Sequence, residues 1–242
     1  MQTLIFTGAG CSYPHGEPLL KELAKEQLNP RIVTLPCHQF ARDPSGLGLE
    51  DYITAHNKEV TDSETIIIGH SLGGLIAQHV AERNQNVKGI FLVASAVPDV
   101  LMSGLSFDAL LAMAVRFRYH EAIVRGGAFE FHPNDLRDLF YNGTDGLLDE
   151  FVLESGKVLR DVVFGRPALV RTRPVYARVV VAENDAVISE SSQNALTEAY
   201  DCELSLVEKA PHMLLEGRYL KDVMEIFRDW HSGLPLSRMA AE

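Results

Sequence analysis

Residues 65–83 read TIIIGHSLGGLIAQHVAER, an apolar run that breaks into glycines around one serine and then takes up helical spacing. Gly69-His70-Ser71-Leu72-Gly73 fits G-x-S-x-G, and the flanks supply the context that pattern needs, a strand before and a helix after. A serine at the tip of so tight a turn needs neighbours without side chains, because backbones nearly touch there. The turn lifts the Ser71 hydroxyl clear of its surroundings and sets the Leu72 N–H at a helix N-terminus, able to donate to a developing oxyanion. The implied chemistry is nucleophilic attack.

A lone hydroxyl is a weak nucleophile and needs a base oriented by an acid. Of the nine histidines, His212 is the expected base, since it follows the last strand-like run in Lys209-Ala210-Pro211-His212-Met213. Asp185, just beyond the apolar run 177–181, is the expected acid, with Glu183 its near neighbour and Asp99 a substitute. The order is then Ser71, Asp185, His212. The second oxyanion donor is expected from Thr7-Gly8-Ala9-Gly10, at Ala9. His15-Gly16-Glu17-Pro18 looks similar but does not directly follow a strand.

These residues must be positioned by elements, and the chain alternates them. Strands are expected over 3–7, 31–35, 65–68, 88–93, 177–181 and 203–207, and helices over 17–28, 49–60, 72–83, 190–200 and 220–230. Strands and helices in alternation imply βα units on a parallel sheet. From about residue 98 to 167 helical segments such as 107–125 and 133–141 follow one another with no strand between, so an all-helical insertion is expected. The organisation predicted is 1–98 core, 99–167 cap and 168–242 core. Apolar positions Phe107, Leu110, Leu111, Met113, Ala114 and Phe117 suit a pocket wall in that cap, whereas Arg116 and Arg118 read as solvated.

At 242 residues, 46% hydrophobic, one large core is affordable. A formal net charge of −11 without a compensating basic cluster argues against nucleic acid. Neither a basic leader nor a run of bilayer length is visible, so a soluble cytoplasmic protein with no membrane partner is expected. Cys11, Cys37 and Cys202 lack metal or disulfide spacing and read as reduced packing residues. No metal or dinucleotide motif is present, and no cofactor is expected.

Taken together, these residues resemble the α/β-hydrolase superfamily over nearly the whole chain. Phe6-Thr7-Gly8-Ala9, Gly69 to Gly74, Phe91 to Asp99 and Pro211-His212-Met213 are similar to the methyl esterase and hydroxynitrile lyase group within it. The resemblance implies Ser71 as nucleophile, Asp185 as acid, His212 as base, and oxyanion amides from Ala9 and Leu72. Its lyases carry Thr in the oxyanion loop and Lys after the histidine; here Gly8 and Met213 stand there, as in esterases. Thr7 replaces a usual His. The expected activity is hydrolysis of a small, largely apolar ester or thioester. The alternatives are a lyase or cyclase using the same triad, or a binding protein on this scaffold. Whether two copies pair as a homodimer is left open.

Overall fold

The computed structural model describes residues 1–40, 42–98, 117–164, 169 and 172–235. Six parallel strands form the central sheet: β1 (Gln2–Phe6), β2 (Pro30–Val33), β3 (Thr65–His70), β4 (Val87–Val93), β7 (Tyr176–Ala182) and β8 (Leu204–Val207), ordered β2-β1-β3-β4-β7-β8. Successive strand residues point to opposite faces, so each inner strand feeds two cores at once. Leu4, Phe6, Ile67, Leu92 and Val179 pack on one face with α2 (Leu49–Asn57), α3 (Leu72–Arg83) and α7 (Glu190–Tyr200). Ile5, Ile66, Ile68, Phe91 and Val180 pack on the other with α1 (Tyr13–Lys25) and α8 (Leu220–Ser232). This is why residues 66–68 are an unbroken apolar run rather than an alternating one.

The chain leaves the sheet after β4 and returns in β7, which pairs directly with β4 in register Gly89↔Tyr176 to Val93↔Val180. Between them lies a helical cap: α4 (Phe117–Arg125), α5 (Pro133–Phe140) and α6 (Gly156–Val163). The expectation of a strandless insertion is corrected here. β5 (Ala128–Phe129) and β6 (Glu154–Ser155) form a two-stranded antiparallel ladder, too short for any period to register in sequence. The cap adds an aromatic cluster to the first of these two cores, in which Phe131, Phe140 and Phe151 meet edge to face at 5.6–6.2 Å.

Helices α3 and α7 span the residues expected from spacing, whereas α1 begins at Tyr13 rather than Glu17. Its first turn has no apolar rhythm and is set by chain chemistry instead. Pro14 suits that turn, and the Ser12 N–H donates to His15 Nδ1 at 3.2 Å. Among the described residues no helix is long and apolar enough to cross a membrane, and none of the three cysteines forms a disulfide.

Candidate active site

The carboxyl ends of β1, β3, β4 and β7 open toward the cap side of one sheet edge, where ligands of open α/β sheets bind. At the end of β3 the backbone turns sharply at Ser71, with φ +53° and ψ −123°, and α3 begins at the next residue. A non-glycine residue there is strained, so the turn must be over-determined by its neighbours. It is: the Ser71 N–H donates to the Val93 carbonyl at 3.1 Å, and its own carbonyl accepts from Gly74 and Ala96 amides at 2.9 and 3.0 Å. A Cβ on Gly73 would collide with the Phe6 and Thr7 carbonyls, so the second glycine of the motif lets α3 seat against the exit of β1. That exit is the predicted oxyanion loop, and a Cβ on Gly8 would lie 3.0 Å from the Ser71 Cβ. Ala9, Ser71 and Leu72 line one small cavity of about 30 Å³.

Asp185 follows β7 by three residues, in a turn that binds its Oδ1 to the Val187 and Ile188 amides, both at 2.8 Å. The carboxylate faces His212: Nδ1 lies 2.8 Å from Oδ2 and 3.0 Å from Oδ1. A carboxylate only accepts, so Nδ1 carries the proton and a neutral ring leaves Nε2 as a base. The imidazole is wholly buried, and among the described residues Nε2 has no hydrogen-bond partner, the Ser71 hydroxyl included. Nucleophile–base hydrogen bonds are often formed only with substrate in place.

Sequence reasoning missed two groups that hold this ring. His70 Nε2 donates to the His212 carbonyl at 3.0 Å, and the two rings lie 4.9 Å apart. Burial pushes the His70 imidazole down to about 3, with the neighbouring His212 adding to the effect, so it stays neutral and serves as a donor. Phe140 from the cap packs edge-on to His212 at 5.3 Å, while its carbonyl accepts the Met213 N–H at 3.0 Å. His70 was visible as the residue before the serine, but its role depends on a contact 142 positions away.

Glu183, the near neighbour weighed as acid, is exposed and accepts the Lys209 N–H at 2.6 Å instead. Asp99, Arg116 and the wall positions Phe107, Leu110, Leu111, Met113 and Ala114 lie outside the described residues, as do the side chains of Phe117 and Arg118. The apolar wall that is described comes from Phe131, Phe140, Leu159 and Val162 of the cap with Val187 and Ile188. A larger cavity, about 710 Å³, has Pro211 and Met213 in its lining but not Ser71. Among the described residues no three His, Cys, Asp or Glu side chains are grouped to hold a metal ion.

A family model described as "Alpha/beta hydrolase family" matches residues 4–226. The chain belongs to that family. A comparison with curated proteins finds no match. Among solved structures, this α/β-hydrolase is similar to a pyrethroid hydrolase from Sphingobium faniae JZ-2, at 15% identity and a TM-score of 0.70 over 96% of this chain and 98% of that one. It is similar to tomato methylketone synthase I, solved with 2-tridecanone, at 14% identity and 0.72 over 96% and 98%. A methylesterase from Arabidopsis gives 14% and 0.69 over 96% and 100%. These likenesses cover the cap as well as the sheet, and at such identities they speak for the fold.

Proposed function

We propose that the protein is a serine hydrolase cleaving a carboxylic ester or thioester of a small, largely apolar substrate. Ser71 Oγ attacks the acyl carbon as His212 Nε2 takes its proton. Collapse of the tetrahedral intermediate expels the alcohol or thiol, which receives that proton. Water then attacks the acyl-enzyme, His212 again serving as base, and releases the acid and free Ser71. Asp185 fixes the tautomer and stabilises the imidazolium. The Ala9 and Leu72 amides hold the oxyanion, and the cap selects the acyl group. No step needs a cofactor.

One observation carries this reading. His212 is buried, tied to Asp185 through Nδ1, without a hydrogen-bond partner at Nε2 among the described residues, and held by the residue adjoining Ser71. The esterase and hydrolase names among the similar structures agree with it. Met213 after His212 offers no cation for a departing cyanide, which favours hydrolysis over the lyase alternative.

The test is a fluorophosphonate probe together with p-nitrophenyl esters and acyl thioesters. The expected result is labelling of Ser71, and a loss of about 10⁴-fold or more in kcat for Ser71→Ala and His212→Ala with no further loss in the double variant. A folded parent that resists the probe, or a Ser71→Ala variant that keeps ester cleavage, overturns the proposal. Cyanide release from a cyanohydrin without ester cleavage would put the lyase first.

A further inference from the structure

Among the described residues, the most buried carboxylate outside the Ser71 site belongs to the cap. Glu154, on β6, is 0% exposed. Its Oε2 accepts the Gly10 N–H at 2.9 Å, and its Oε1 accepts the Tyr52 hydroxyl at 2.8 Å and the Ser155 N–H at 2.7 Å. His38 Nε2 lies 3.6 Å from Oε2, and His38 Nδ1 donates to the Cys11 carbonyl at 3.1 Å. Two further links join the same segments: the Val152 N–H donates to the Gly10 carbonyl at 2.8 Å, and Cys11 bridges Phe151 in antiparallel fashion. The loop after β1 is therefore laced to the cap at every peptide from Gly10 to Cys11. Gly10 takes φ +67°, and a Cβ there would come within 2.8 Å of the Phe131 ring, so the loop cannot reach this clamp with another residue.

A buried charge is poor value for stability alone, since apolar replacements do as well or better. What this one grips is specific: the N–H of the Ala9–Gly10 peptide, next to the proposed oxyanion donor. We infer that Glu154 is a positioning residue, a carboxylate lent by the cap that fixes the Ala9–Gly10 peptide and so aims the oxyanion loop at the acyl oxygen. The inference rests on the hydrolase reading above. Donors surround the carboxylate at Gly10, Ser155 and Tyr52, so only an acceptor-only group satisfies them all. A glutamine must turn its NH₂ toward one of them. His38 Nε2 can accept it on the Oε2 side, which sacrifices the Gly10 bond.

The experiment measures kcat, KM and the inhibition constant of a phenylboronic acid for the full chain carrying Glu154→Gln, with Ser71→Ala and Tyr52→Phe beside it. A boronate bound to serine is tetrahedral and carries the oxyanion's charge. For Glu154→Gln the expected result is a 10- to 100-fold fall in kcat, KM within about threefold, and boronate affinity lower by a similar factor. Tyr52→Phe, which leaves the Gly10 bond in place, should keep kcat within about threefold. Folded Glu154→Gln with parental kcat overturns the inference, as does a kcat loss with boronate affinity unchanged. If Ser71→Ala is inactive in the same assay, that failure belongs to Glu154 alone; if Ser71→Ala stays active, the hydrolase reading falls with it. Should Glu154→Gln not fold, Glu154→Asp decides by the same readouts, because it keeps an acceptor-only carboxylate and draws it back by one methylene from the Gly10 N–H.

Discussion

Ser71 stays at φ +53° because three backbone hydrogen bonds to β4, α3 and the segment after β4 leave it no alternative. Such a conformation costs about 1–3 kcal/mol in a residue with a Cβ. Ser71→Gly should therefore be more stable than Ser71→Ala by about 1 kcal/mol, although both lack the nucleophile. Thermal melts of the two variants check this, and equal stabilities would mean that the turn is unstrained. The residue scale is where sequence speaks most clearly. Four glycine and serine positions in G-x-S-x-G-G reveal the turn because only a few residue types fit it. His70 does not reveal itself, since any residue is allowed before the serine and its duty lies with the distant His212 carbonyl.

Elements in this protein are completed by groups far from them in sequence. The last turn of α3 ends in carbonyls that have no helical partner, and Arg173 supplies one: it donates to Ala81, Asn84 and Val87 carbonyls at 2.6–2.9 Å. Since Arg173 precedes β7, it ties the chain's return from the cap to the helix that begins at Ser71. Arg173→Met keeps most of the stem and removes the donors, and should cost about 2 kcal/mol in a half-buried setting. Urea unfolding followed by fluorescence measures it, because Trp230 is the one tryptophan and is fully buried. Spacing locates α3 and α7 to the residue. It misses β5 and β6, whose two-residue ladder is made by the partner strand and not by local preference.

Across the whole molecule, histidine burial sets a shared response to acid. Burial pushes His15 and His56 down to about 4 and His70 to about 3, from an ordinary value of 6.5. The unfolded chain takes up these protons below about pH 6.5 and the folded chain does not. Stability is thus full above that pH and falls as pH drops toward 4, by up to about 1.4 kcal/mol per histidine for each pH unit. Melts at pH 7.5, 6.5 and 5.5 should show a steep decline before carboxylates protonate. His56→Gln should make the slope shallower by about one proton; an unchanged slope would show that His56 charges freely in the folded state.

What the sequence by itself determined was local in origin: the βα alternation, the serine turn with its glycines, and a cap between β4 and β7. Each follows from side-chain periodicity or from steric limits acting over a few residues. Only the tertiary structure brought the expected acid Asp185 against His212, set His70 and Phe140 on its ring, and placed Glu154 on Gly10. Those pairings join residues 27 to 144 positions apart. Burying a charge or an imidazole is tolerable only once partners are in place, and which partners arrive is settled by how the sheet, its helices and the cap pack.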